Sequence, residues 1–307
     1  LHKDPLPSVS VVIPTRRRPD LLRRAVEAVL EQTYEGTVEC LVVFDQSEPH
    51  LPDVPVPESR HLKALRNVRT PGLAGARNTG ALGASGELLA QCDDDDEWLP
   101  HKLTRQVERI AQNSKAIVVG SGIALRTHGR TVRRVPSSEW IGLRDLLRSR
   151  SMELHSSNIL VRRSDFVDRI GLFDEQLPNS QNEDYDWLLR AARLGPIAVV
   201  REPLVRIDWQ PHSWFSERWQ TLIDAHMYLL RRHPEFHQEP KGLARIYGQL
   251  AFYHAAAGDS PSARRWAART LRTNWMERRA YLALAVSLRL VSASRAVSLA
   301  NRFGRGI

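Results

Sequence analysis

The chain has 307 residues, 42% of them hydrophobic and 26% charged, with 44 Lys/Arg against 35 Asp/Glu. Those proportions are globular, and they exclude a disordered, collagen-like or porin-like chain. No run of eighteen apolar residues offers a membrane-spanning helix, and Leu1–Ser8 is polar and proline-marked, without an apolar signal core. Cys40 and Cys92 both sit in strand-like runs. This pattern disfavours a disulfide scaffold or a cysteine zinc site and suits a reducing cytoplasm.

Charge is unevenly spread. From Lys241 onward there are twelve Lys/Arg and two acids, Asp259 and Glu277, so the whole positive excess lies in the last fifth. A nearly neutral body with a basic end suits a partner bearing negative charge, such as a lipid headgroup or nucleic acid; a solvated arginine-rich helical surface is the plainer alternative.

Strand and helix alternate over the first part. Val9–Ile13 is a β-branched run. Pro19 and Asp20 suit the first turn of a helix, and Leu21, Leu22, Ala25, Val26, Val29 and Leu30 follow at helical spacing. Val38–Phe44 is apolar enough to be buried on both faces. Asn67–Thr70 reads as a short edge strand, Ala74–Ala84 as a small-residue helix, Leu88–Cys92 as a third buried strand, Pro100–Ala111 as a helix and Ile117–Leu125 as a strand. Further on, short strands are expected at Ser157–Val161, Ile197–Val200 and Leu204–Asp208, with helices at Ile141–Ser149, Arg163–Ile170 and Tyr185–Leu194. After Ser213 the pattern is helical: 217–232, 242–257, 261–273 and 276–290. Residues 247–271 resemble a single tetratricopeptide-type hairpin, which needs other packing to be stable. The alternation predicts an α/β fold with a mainly parallel sheet, and ligands beyond the carboxyl ends of its strands. That places Thr15–Arg18, Asp45–Ser47 and Asp93–Asp96 in view.

Asp93-Asp94-Asp95-Asp96 is the sharpest motif. Four adjacent carboxylates after a hydrophobic strand repel one another, and a hard divalent cation removes that cost. Alternation at a strand end lets Asp93 and Asp95 share a ligand face. The alternative is a solvated acidic turn or helix cap. Asn182-Glu183-Asp184-Tyr185-Asp186-Trp187 sets three carboxylates at a helix start. They are either capping residues favoured by the dipole or a base for a substrate hydroxyl. There is no phosphate-binding G-x-x-x-x-G-K-[ST] loop, no H-E-x-x-H and no G-x-G-x-x-G. Aromatic residues are not interleaved with the basic end as a single-strand nucleic-acid binder requires, so no nucleic-acid partner is expected.

Together these segments resemble the inverting family 2 glycosyltransferases of the GT-A fold. The resemblance rests on Val9-Ser-Val-Val-Ile-Pro-Thr15, Glu31-Gln-Thr-Tyr34, Leu41-Val-Val-Phe-Asp-Gln-Ser47, Gly75-Ala-Arg-Asn78, Gly86 through the four aspartates to Pro100, Phe173-Asp174, and Glu183-Asp184 with Trp187. It covers about residues 8–216. It implies a Rossmann-like, mainly parallel mixed sheet flanked by helices over 1–216, with a nucleotide-sugar half at 1–130 and an acceptor half at 131–216. A helical extension at 217–307 follows.

The same resemblance implies transfer of a sugar from a nucleotide-diphosphate sugar, UDP foremost, to an acceptor hydroxyl on a glycan or lipid-linked carrier, in cell-surface polysaccharide or glycoconjugate synthesis. Pro14, Thr15, Arg16 and Asp45 would hold the nucleotide, Arg77 would lie near the sugar-phosphate portion, Asp93 and Asp95 would hold the sugar and the metal, and Asp94 would also contact the donor. Mn²⁺ or Mg²⁺ would sit on Asp95 and Asp93, with His212 near the diphosphate. Asp184 would be the general base. Phe44 and Gln46 replace the usual aspartate and glycine around Asp45, and no Q-x-x-R-W segment follows the base, which disfavours a processive synthase. A silent GT-A-fold module that binds glycan or protein is the alternative reading. The basic helices, with Tyr281, Leu282, Leu284, Ala285, Leu288 and Val291 as an apolar face, would meet an anionic membrane from the cytoplasmic side, the body of the chain, or a second copy in a homodimer.

Overall fold

The structure, a computed structural model, describes residues 5–113, 115–127, 130–151, 153–208 and 218–302. The chain divides into two compact units, one of residues 1–143, 151–176 and 183–209, the other of 144–150, 177–182 and 210–307.

The first unit opens with β1 (Val9–Thr15), α1 (Pro19–Leu30) and β2 (Val38–Phe44). Both strands are buried on both faces, as their mostly apolar runs favour. They pair in parallel, from Val9 opposite Val38 to Thr15 opposite Phe44. Pro19 opens α1 where its missing N–H costs nothing, and Leu22, Ala25, Val26, Val29 and Leu30 bury one face. Next come β3 (Arg60–Arg66), α2 (Leu73–Gly83), β4 (Leu88–Gln91), β5 (Asp96–Trp98) and α3 (Lys102–Ala111). The rest is β6 (Val118–Thr127), β7 (Arg130–Arg134), β8 (Trp140–Ile141), α4 (Leu143–Arg148), whose last five residues belong to the second unit, β9 (Leu160–Arg162), α5 (Glu183–Leu194) and β10 (Ile197–Asp208).

Among the described residues ten strands form one mixed sheet, with the path β3-β2-β1-β4-β9-β6-β10-β5 and with β7 on β6 and β8 on β10. The longest ladders are parallel, and β1 lies between β2 and β4 with both neighbours running its way. The carboxyl ends of these three strands therefore emerge along one edge. Three expectations change. The edge strand is Arg60–Arg66, which carries Arg60, His61, Lys63 and Arg66, rather than 67–70. Ile197–Asp208 is one strand whose register shifts at Pro203, a position that cannot donate to a ladder. β5 is an added short strand, antiparallel to β10. Cys40 and Cys92 are buried free thiols.

Packing is close where α2 crosses the sheet. A side chain at Gly80 would run into Val12, so only glycine lets this helix lie on β1. Buried Arg60 closes the end of α1. Its guanidinium donates to the carbonyls of Leu30 (3.2 Å), Gln32 (2.8 Å), Tyr34 (2.6 Å) and Gly36 (2.9 Å).

The second unit contains α6 (Trp219–Arg232), α7 (Pro240–Ala256), α8 (Ser260–Thr273), α9 (Arg278–Ser287) and α10 (Ala293–Arg302). Gly258, at φ +85°, ends α7, and Asp259 caps α8 by accepting from the Ser262 N–H at 3.0 Å. Trp219 stacks on Tyr253 at 6.1 Å between ring centres. The expected helix over 276–290 stops at Ser287, and Arg289 turns the chain with φ 60°. Among the described residues no helix is long and apolar enough to cross a membrane.

Replacing Arg60 by Met strands those four carbonyls and is expected to cost about 3 kcal/mol in the urea unfolding transition.

Candidate active site

The loops that leave β1, β2 and β4 supply the site. At the end of β2, buried Asp45 accepts on Oδ1 from the Asn67 amide (2.8 Å) and the Gly72 N–H (3.1 Å), and on Oδ2 from Gln46 (3.0 Å). These bonds fix the carboxylate at the wall of a cleft of ≈ 380 Å³, which Arg17, Asp45, Ser47, Arg66, Asn67 and Arg69 help to line. Of the three arginines 16–18 the cleft takes Arg17; Arg16 is exposed, and Pro14 is buried within β1.

The four aspartates form a turn between β4 and β5, closed by Asp96 N–H to the Asp93 carbonyl (3.2 Å). Each carboxylate has a different setting. Asp94 accepts from Thr15 Oγ1 at 2.8 Å and from Arg18 at 3.1 Å, and Asp95 pairs with the same arginine at 3.0 Å while half-exposed. Arg18 thus neutralises the outer side of the turn. Burial pushes the Asp94 carboxyl up to about 6, against the pull of Thr15 and Arg18. Asp96 is fully enclosed; burial and the charges of Asp93 and Asp95 raise its pKa far above the usual carboxylate range. Asp93 goes the other way, because Arg77 outweighs its burial.

Arg77, on α2, is 1% exposed. Its guanidinium meets Asp93 Oδ1 at 2.5 Å, Ser156 Oγ at 2.6 Å, and the Glu183 carboxylate. Phe173 lies 5.5 Å below it. Burial alone would favour loss of its charge, but Asp93 and Glu183 reverse that and hold it cationic. Arg77, expected near the donor's sugar-phosphate, is a buried bridge between the acidic turn and the start of α5. Asp184 is the next residue, buried, its Oδ1 accepting from the Tyr185 N–H at 2.7 Å. Asp186 does not share that role. It is fully buried and paired with Arg190 at 2.9 Å, which in turn donates to the carbonyls of Ile170 and Leu172.

Asp93, Asp96 and His155 bring one ligand atom each within 4.8 Å of one another. Two carboxylates and an imidazole form a donor set that Mn²⁺ accepts, and Mg²⁺ accepts the oxygens. The mutual repulsion that raises Asp96 is what a dication would relieve. The residues therefore fit the expected metal, with Asp96 and His155 added to the expected Asp93, and Asp95 at the outer lip. His212 lies outside the described residues. No spacing signal marks His155, which stands sixty positions from the turn and enters it only through the fold.

The turn is braced from behind. The Asp93 N–H donates to Ser157 Oγ at 2.9 Å, and the Trp98 indole donates to the Ser157 carbonyl at 2.8 Å. Lys102 lies on the Trp98 ring, 3.7 Å from its centre, and donates to Gln106 at 2.7 Å. Its burial lowers its pKa to about 7.

Residues 10–169 match the family Glycosyl transferase family 2. The chain belongs to that family. It is 33% identical over 192 residues to the succinoglycan biosynthesis protein ExoO of Rhizobium meliloti, covering 61% of this chain and 53% of that protein. It is 33% identical over 115 residues to the Escherichia coli protein WfgD, named UDP-Glc:alpha-D-GlcNAc-diphosphoundecaprenol beta-1,3-glucosyltransferase, covering 37% and 45%. With an uncharacterized glycosyltransferase of Rickettsia felis the identity is 29%, over 72% of this chain and 36% of the other. The chain thus spans about a third to a half of the length of these relatives. Among solved structures, Staphylococcus aureus TarS 1-349 in complex with UDP-GlcNAc superposes with a TM-score of 0.63 at 16% identity, covering 97% of this chain and 92% of that one. The mannosyltransferase PcManGT of Pyrobaculum calidifontis, in complex with GDP-Man and Mn²⁺, gives 0.54 at 17%, covering 98% and 90%. The fold is GT-A, as the sequence resemblance implied.

Two outcomes follow from the buried cations. Arg77→Met leaves Asp93 and Glu183 without their shared partner and is expected to lower stability by about 3–5 kcal/mol, read from thermal or urea unfolding. Between about pH 7 and 10.5 the unfolded chain carries a proton on Lys102 that the folded chain lacks. Stability should therefore rise with pH across that window, and Lys102→Met should flatten the rise in unfolding curves taken at several pH values.

Proposed function

We propose that the chain is an inverting glycosyltransferase that moves a sugar from a nucleotide-diphosphate sugar to an acceptor hydroxyl. The observation that carries this reading is the network that joins three parts, with the Asp45 N–H donating to the Thr15 carbonyl at 2.9 Å and Thr15 Oγ1 to Asp94 at 2.8 Å. Asp45 faces the ≈ 380 Å³ cleft beyond β2, the acidic turn follows β4, and Arg77 ties that turn to the helix start bearing Asp184.

In this reading the nucleoside occupies the cleft, oriented by Asp45, with Thr15 and Arg17 on the β1 side. UDP is the nucleotide we assign, in line with the UDP-GlcNAc held by TarS. Asp93, Asp96 and His155, with Asp95 at the lip, would hold Mn²⁺ or Mg²⁺, which supplies Lewis-acid stabilisation of the departing diphosphate. Asp184 takes the proton from the acceptor hydroxyl. The oxygen bonds to C1 of the sugar as the C1–O bond to the diphosphate breaks, and the anomeric carbon inverts. Arg77 keeps Asp93 ionised and fixes the entry of α5, so the base and the acidic turn stay in register. The names of ExoO and WfgD support a cell-surface polysaccharide role and a diphospholipid-linked glycan acceptor.

The test combines calorimetry and donor turnover. UDP, GDP and dTDP are titrated with and without Mn²⁺, and hydrolysis of common nucleotide sugars is screened. UDP binding strengthened by Mn²⁺, and donor hydrolysis lost on chelation, are expected. Asp184→Asn should leave nucleotide affinity within about twofold and lower transfer by at least 10²-fold. Absence of nucleotide binding in every condition rejects the proposal, and wild-type turnover by Asp184→Asn removes Asp184 as base. Binding with an intact donor after long incubation would instead favour a silent binding module.

A further inference from the structure

We infer that α9 and the two loops flanking it form a docking surface for an anionic lipid bilayer. α9 turns Ala280, Ala283, Val286 and Ser287 inward, a face of small residues. The opposite side carries Tyr281 and Leu288, both exposed, with Leu284 and Ala285 half-buried between them. Spaced at three and four residues, these line one side of the helix. The loop before α9 adds Trp275 and Met276, 70% and 67% exposed, and the loop after it adds Leu290, 74% exposed, and Val291. The Tyr281 hydroxyl donates to the Trp275 carbonyl at 2.8 Å, which ties the first loop to the helix. Exposed apolar side chains therefore stand on the helix, about 15 Å long, and in the loops at both of its ends. Single exposed apolar residues are ordinary, but six between Trp275 and Val291 mark an interaction surface.

Charge selects the occupant. Arg272, Arg278, Arg289 and Arg295 are exposed around these residues. Between Ser260 and Arg302 the one acid in the sequence is Glu277, and its carboxylate is held by Arg279 at 2.9 Å. A symmetric pairing with a second copy would set this arginine field against itself. A nucleic acid would meet the arginines but leave Met276, Leu288, Leu290 and Val291 without an apolar partner. An anionic bilayer satisfies both: phosphate headgroups meet the arginines, Trp275 and Tyr281 sit at the headgroup level, and the aliphatic tips enter the acyl boundary. The surface differs from the sequence expectation, since Trp275, Met276 and Leu290 join it.

The test uses the full chain in sedimentation with vesicles of pure phosphatidylcholine and with vesicles carrying about 30% phosphatidylglycerol. Binding at least tenfold stronger to the anionic vesicles, weakened by high salt, is expected. Leu288→Ser with Leu290→Ser, and separately Arg278→Gln with Arg289→Gln, should each lower that binding about tenfold or more while leaving donor hydrolysis in solution and the melting temperature unchanged. Equal partition to both vesicles, or none to either, overturns the inference. So does a dimer in solution that the Leu288/Leu290 variant converts to monomer. Because hydrolysis is read without vesicles, failure here and failure of the glycosyltransferase proposal are separate results.

Discussion

Arg77 sits where no water reaches it, and three groups far apart in the sequence converge on its guanidinium: Asp93 from the acidic turn, Ser156 from the segment before β9, and Glu183 from the start of α5. A buried cation is costly unless it is paired, and buried carboxylates are costly unless they are paired too. The arrangement meets both demands at once. It also makes the acidic turn and the helix start bearing Asp184 mechanically dependent on each other. Gly80, one turn further along α2, lets this helix lie close on β1 and so sets how deep Arg77 reaches.

The electrostatics of the turn grade from inside to outside. Asp93 is held ionised by Arg77, Asp96 is driven toward its neutral form, and Asp94 and Asp95 share Arg18 at the rim. A run of identical residues is thereby divided into four distinct positions by its surroundings alone. The proposed cation would act on the inner pair, where charge is least screened.

The parallel core was legible because its strands are buried on both faces and read as mostly apolar runs; β1, α1 and β2 stand where periodicity places them. β3 was not, because an edge strand carries charged residues, here Arg60, Lys63 and Arg66, that look like loop. β5 has three residues and exists by pairing with β10, a long-range fact no local pattern contains. The break after α9 falls at Arg289, a non-glycine residue with positive φ, so its sequence carries no stop signal. In the site, the acidic turn, Asp45 and the Glu183-Asp184 pair were readable as motifs. His155 and Arg18 were not, since their roles depend on position rather than spacing. Arg77 was found by its motif, and its burial sets what it touches.

Ser156 and Ser157 are neighbours that face opposite tasks, one on the Arg77 and Asp93 side chains, the other bracing the Asp93 amide and the Trp98 indole. This dipeptide lies in a connecting segment, where natural variation in length is usually tolerated. Here it acts as a keystone, so the span from His155 to Asn158 should resist insertion and deletion as strictly as any core strand. Freedom to vary, and with it any divergence in acceptor choice, is displaced to the stretches on either side.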